Sequence, residues 1–160
     1  MIGLDGATWD VIKPLVEEDK LPAFKKLMEE GVWGDLESTI PPITVPAWFS
    51  LATGMNPGKL GVFDFLSRKD NTHKLHPATS NDFRRKAIWD YVSASDGGER
   101  VGVVNYPLLF PPYEINGFMI SGVGSSETED ITFPKSLKKI IEKIIQEKIY
   151  DKNHCQVRCR

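Results

Sequence analysis

Residues 38–65 read "STIPPITVPAWFSLATGMNPGKLGVFDF". The proline pair Pro41-Pro42 stops any strand that reaches it, because proline has no N–H for a ladder. The segment "VPAWFSLATG" then reads as a helix, with Pro46 near its first position, where the missing N–H costs nothing, and Gly54 at its end. A strand, a short loop carrying Thr44 and a helix make an α/β step, and the flanking sequence repeats that alternation.

Upstream, "VWGDLES" at 32–38 alternates apolar and polar residues as a half-buried strand does. Before it, "ATWDVIKPLVEEDKLPAFKKLMEEG" has helical apolar spacing, is interrupted by Pro14 and Pro22, and closes on Gly31, so it predicts one broken helix or two short ones. The opening Met1-Ile2-Gly3-Leu4 predicts a short buried strand whose end projects the Asp5 carboxylate. Downstream, "KAIWDYVSAS" predicts a helix closed by Gly97-Gly98, and "RVGVVNY" and "GFMISG" predict strands. "FPKSLKKIIEKIIQEKIY" sets Leu137, Ile140, Ile141, Ile144, Ile145 and Ile149 along one stripe opposite lysines and glutamates. The pattern predicts an α/β fold: a three-layer sandwich with a mostly parallel sheet, in which strands 2–5 and 101–105 lie side by side or nearly so. No internal repeat or low-complexity segment interrupts it.

With 160 residues and 41% apolar content, the chain is expected to build one domain with a single core. Twenty basic against twenty-two acidic residues leave a net charge of −2, which predicts no general attraction to nucleic acid or to an anionic membrane. An anionic substrate would be held locally. No apolar run approaches the roughly 20 residues of a membrane span, and the N-terminus lacks a basic region followed by a long apolar stretch, so the expected location is cytoplasmic. Cys155 and Cys159 sit too close together, at the end of the sequence, for a disulfide scaffold.

In a sheet of this kind ligands bind at the carboxyl ends of strands, where helix N-termini gather. Asp5 ends one predicted strand and Thr44 follows another, so both are expected to face one crevice. The free N–H groups and dipole of the helix after Thr44 suit an anion such as phosphate. A threonine hydroxyl is a weak nucleophile, and no histidine nearby has the spacing of a base. Metal coordination is the remaining route to activation, with Asp5 as the natural first ligand. The plain alternative is that Thr44 is a helix N-cap and that Asp5 caps the helix after its own strand.

The stretches "IGLDG", "LPAFKKLMEEG", "STIPPITVPAWFSLATGMNPGKLGVFDF", "AIWDYVS", "VGVVNYPLLFPP" and "INGFMISG" together resemble the alkaline phosphatase superfamily. Within it they resemble the type I phosphodiesterase/nucleotide pyrophosphatase branch. The resemblance covers residues 2 to about 135 and rests most on the Asp-Gly strand end combined with Thr-x-Pro and a later Thr-Gly. It implies a metal-dependent phosphohydrolase or phosphodiesterase acting through a phospho-threonine intermediate on a small phosphorylated, phosphodiester or nucleotide-like substrate. Thr44 is then nucleophile and metal ligand, and Asp5 a metal ligand. Two divalent ions are implied, zinc by preference and manganese as the alternative.

Nucleotide pyrophosphatases of this branch carry an asparagine three residues after the threonine; here that residue is Ala47, and the Val45 backbone N–H is the substitute donor. The family's other aspartate and histidine ligands come from segments beyond this length. The resemblance therefore implies that residues 1–150 are the N-terminal part of an incomplete alkaline phosphatase-like domain, with 151–160 a polar tail that disorder would suit. The competing reading is a truncated, catalytically incomplete chain that serves as a binding or assembly module. A sulfatase would need cysteine or serine at position 44, and a phosphomutase of the superfamily commonly has serine there.

Other features read as structural. His73 and His76 lie in a polar loop and are expected at the surface or on the substrate side, not on metal. His154, Cys155 and Cys159 lack the spacing of a zinc knuckle. Arg68, Lys69, Arg84, Arg85 and Lys86 make a solvated face. Trp33, Trp48, Phe49 and Trp89 are spaced as core aromatics, with Trp48 near enough to Thr44 to line a substrate pocket. The isoleucine stripe is expected to pack on the sheet or, without its cover, to hold a second copy or a partner.

Overall fold

A computed structural model describes residues 1–68, 74–82, 85–95, 97–124 and 130–152, with side chains up to residue 144. In chain order its elements are α1 (Trp9–Glu17), α2 (Pro22–Glu30), α3 (Thr44–Thr53), α4 (Pro57–Leu60), β1 (Leu66–Arg68), β2 (Leu75–Pro77), α5 (Ile88–Ser93), β3 (Val101–Tyr106), β4 (Gly117–Ser121), β5 (Thr132–Phe133) and α6 (Leu137–Lys152), with a 3₁₀ turn at Ser80–Asp82.

The core is organised by α3. Val45, Phe49 and Ala52 follow the i, i+4, i+7 spacing of one helical face, and all are buried, as is Pro46. Removing side chains such as Val45 and Phe49 from water is worth about 1.5–3 kcal/mol each. Gly54 ends the helix in the left-handed conformation, φ 68°, and returns its N–H to the Ser50 carbonyl. Leu60 of α4, Val62, Trp89 of α5, and Val103, Tyr106 and Met119 of the strands close around this face. By contrast α1 and α2 pack on each other and bury no side chain fully. Their shared helical stretch divides before Pro22, which takes the first turn of α2, where proline is tolerated.

The sheets are small and mixed. β1 and β2 form an antiparallel pair, β3 and β4 pair in parallel, and β5 adds antiparallel to β4. The architecture is α/β, but the expectation of a mostly parallel sheet is corrected: among the described residues two of the three strand pairings are antiparallel. Segments 2–5 and 32–38, both expected as strands, have no ladder; Ile2, Leu4, Val32 and Leu36 are exposed. A strand persists through a partner's hydrogen bonds and a covered face, and these segments have neither. Residues 2–5 do not pair with β3; Met1 and Gly3 instead share with it a cavity of about 350 Å³.

β3 is irregular where it meets α3. Its register against β4 shifts between Val104 and Tyr106, and Asn105 takes a left-handed φ of 54°. A bulge of this kind resets the inward–outward alternation, so that Val103 and Tyr106 both face the core while Val104 and Asn105 face out. Turned inward, Tyr106 donates its hydroxyl to the Trp48 carbonyl and meets the Trp48 and Trp89 rings edge-on at 5.0 and 4.9 Å. Trp89 Nε1 donates to Tyr113 Oη at 2.6 Å, and Tyr113 donates to the Asp90 carboxylate at 3.3 Å. Burial pushes the Tyr106 and Tyr113 phenols well above their ordinary range.

Trp33 departs from its expected place in the core: it is 46% exposed and lies 4.9 Å from the Trp9 ring, with Lys13 Nζ 5.2 Å over it. α6 touches β5, with Leu137 and Ile141 half-buried and Ile140 and Ile144 exposed, so the stripe is only partly covered. The side chains of Ile145 and Ile149 lie outside the described residues. Among the described residues no helix is long and apolar enough to cross a membrane.

Phe49→Ala is expected to cost about 3–5 kcal/mol in denaturant unfolding and Trp33→Ala no more than about 1.5, the worth of an exposed aromatic pair. Equal losses would contradict the division between core and surface. A phenol whose folded pKa is raised lends stability below its unfolded value of about 10, and that stability is lost as pH rises further. Unfolding free energy should therefore fall in alkali above about pH 10, and less steeply in Tyr106→Phe.

Candidate active site

Asp5 and Thr44 line one cavity of about 610 Å³, together with Glu37, Thr39, Ala47 and Trp48. Thr44 is the first residue of α3 and not its cap. The cap position belongs to Ile43, whose backbone is extended and whose side chain offers no acceptor. The helix after Asp5 is capped by Thr8, whose hydroxyl accepts from the Asp10 N–H at 3.4 Å. Capping therefore accounts for neither Asp5 nor Thr44. The Thr44 hydroxyl has no hydrogen-bond partner among the described residues, and the side chain is half-buried.

The first intrahelical bond at this end runs from the Ala47 N–H to the Ile43 carbonyl. Of the residues before it, Pro46 has no N–H, which leaves those of Thr44 and Val45 free, at the positive end of the helix dipole. Val45 and Pro46 are fully seated in the core, so these donors are fixed in direction. Ala47 faces the same cavity but has no polar group to contribute.

Trp48 is half-buried and reaches Asp5: its Nε1 donates to Asp5 Oδ1 at 3.4 Å. Gly3 lies flat against the same indole, where a Cβ would come within 2.2 Å of the ring. A second cavity, about 710 Å³, adjoins through Thr39 and Ser50 and is walled by Ile40, Met55 and Phe63. Glu37 was not singled out from the sequence, although it stands near the end of an alternating segment much as Asp5 ends another; that position was the available signal.

His76 is not among the residues lining the Asp5–Thr44 cavity; its Nδ1 lies 2.9 Å from the Pro77 carbonyl oxygen and its Nε2 3.7 Å from Asp82 Oδ1. Arg68, Arg85 and Lys86 are exposed, as expected of a solvated face. His73, Lys69, Arg84, His154, Cys155 and Cys159 lie outside the described residues.

The family model described as type I phosphodiesterase / nucleotide pyrophosphatase matches residues 1–154. The chain belongs to this family. Membership makes it a phosphohydrolase at family level, and the matched span contains both Asp5 and Thr44. No curated protein and no solved structure matches the chain. As a site for divalent ions, the cavity offers hard oxygen donors of the right kind, but zinc takes about four ligands. Among the described residues no three His, Cys, Asp or Glu side chains converge on one point.

Since Thr44 caps nothing, Thr44→Ala should change the unfolding free energy by no more than about 0.5 kcal/mol, whereas Thr8→Ala should cost about 1 kcal/mol. The reverse order in a denaturant titration would restore the capping role to Thr44.

Proposed function

We propose that the protein is a metal-dependent phosphohydrolase acting on phosphodiester or nucleotide-like substrates, with Thr44 as the nucleophile. The observation that carries this reading is the unpartnered Thr44 hydroxyl at the first turn of a buried helix, in one cavity with Asp5. A phosphoryl group seated there would receive the Thr44 and Val45 backbone N–H groups on its oxygens. The Thr44 oxygen attacks phosphorus, its proton passes to water, and the bond to the leaving alcohol breaks in line. Water then attacks the phospho-threonine from the opposite side and restores the hydroxyl.

Asp5 and Thr44 would be two of the ligands of a pair of divalent ions, zinc first and manganese as the alternative, with the remaining ligands supplied from outside the described residues. Such ions supply Lewis acidity at the phosphoryl oxygens. Ala47 in place of asparagine removes one side-chain donor, which leaves oxygen binding to the backbone and argues against a strict nucleotide pyrophosphatase. The second reading, a binding or assembly module without catalysis, is favoured by one observation, the solvent-facing Ile140 and Ile144 of α6.

In the intact protein assayed with bis(p-nitrophenyl) phosphate and added zinc or manganese, Thr44→Ala should abolish turnover and Thr44→Ser should retain part of it. Acid quench during turnover should trap phosphate on Thr44 in the wild type and none in the alanine variant. Near-normal turnover in Thr44→Ala would refute the nucleophile, and a dimer without any phospho-threonine would support the assembly reading.

A further inference from the structure

We propose that Trp48 is a positioning residue for Asp5 and that Tyr106 holds it in that role. The inference deepens the phosphohydrolase reading of the same cavity and rests on it for its functional meaning. The contact itself rests on geometry alone.

Residues 2–5 carry Asp5 but have no ladder to hold them, and Ile2 and Leu4 are exposed. What they do meet is the Trp48 indole. Gly3 lies on the ring so closely that any side chain there would collide with it, and two residues later Asp5 accepts the indole N–H. Tryptophan has only that one side-chain donor, so directing it at Asp5 commits its whole polar capacity.

The indole is itself fixed on its other side. Tyr106 donates to the Trp48 carbonyl and packs edge-on to the ring at 5.0 Å with an interplanar angle of 82°. Burial holds the Tyr106 phenol protonated, so it remains a donor at any ordinary pH. Trp89, buried behind it, backs Tyr106 in turn. Finally, Trp48 stands four residues after Thr44 in α3, the spacing that puts side chains on one helical face. The ring that holds Asp5 is therefore in rigid register with the Thr44 hydroxyl. The relation between carboxylate and nucleophile, which a paired strand would otherwise set, is carried by this aromatic contact. Trp48 thus acts on the site through Asp5 and not principally as a wall for the substrate.

The test uses the full chain labelled with ¹⁵N at its four tryptophan indoles, with the Trp48 signal assigned by its loss in Trp48→Phe. Asp5→Asn should move the Trp48 indole N–H resonance and speed its exchange with solvent several-fold, leaving Trp9, Trp33 and Trp89 in place. Gly3→Ala, which displaces the ring, should move the same resonance, and Tyr106→Phe should do so with the fold retained by circular dichroism. A Trp48 resonance indifferent to Asp5→Asn overturns the proposal; indifference to Tyr106→Phe alone overturns the part assigned to Tyr106. In the intact protein, Trp48→Phe should lower kcat on bis(p-nitrophenyl) phosphate at least tenfold with KM nearly unchanged, and a change in KM alone would overturn positioning in favour of substrate contact. Wild-type protein without turnover would refute the phosphohydrolase reading while the indole resonances still decide the contact.

Discussion

The burial of one face of α3 is the constraint on which the remaining structure depends. Val45 and Phe49 are wholly removed from solvent, and their seating determines where the helix starts, how it is rotated and which residues it turns away from the core. Because Val45 lies in the first turn, its burial also immobilises Thr44 beside it. Pro46, equally buried, adds a fixed φ at a point where helices often fray. The result is a helix N-terminus held as firmly as a helix centre, with free N–H groups and an unengaged hydroxyl at its tip. Rigid placement of this sort suits chemistry in which reacting atoms must be held in line, since misplacement by about 1 Å is costly.

The residues around that tip divide into a firm half and a loose half. α3, α5 and β3 interlock through Phe49, Trp89 and Tyr106. Asp5 and Glu37 approach from segments that lie along the surface without ladders. A carboxylate on such a segment is positioned only by its individual contacts, and for Asp5 the contact among the described residues is with Trp48. The family match over residues 1–154 spans both halves, and Thr44 stands on a helix of the firm one.

How much of this was legible depended on distance along the chain. Helix α3, its glycine stop, the division before Pro22, and strands β3 and β4 all follow from apolar spacing and from Gly and Pro punctuation, which are local signals. The strands expected at 2–5 and 32–38 failed because alternation shows only that a segment could pair, while pairing requires a neighbour that local sequence does not contain. The short β1–β2 hairpin escaped notice because exposed Leu66 and Leu75 give it no clean alternation. Trp33 was misread for a related reason: an aromatic residue satisfies its apolar surface equally well against Trp9 and the stem of Lys13. In the site, Asp5 and Thr44 do line one cavity, but the strands whose ends were expected to bring them together do not form among the described residues. The indole contact could not be read from local sequence, since it joins residues 43 apart.

The bulge at Asn105 has an effect beyond turning Tyr106 inward. Among the described residues β3 is an edge of its sheet, and an open edge is a row of unpaired donors and acceptors that invites another chain to add a strand. A left-handed residue in the middle of that row interrupts its spacing and increases its twist. Only the short run from Val101 to Val104 remains regular, less than the length of an ordinary strand. The irregularity that aims an aromatic side chain at the helix thereby also protects the exposed edge from aggregation.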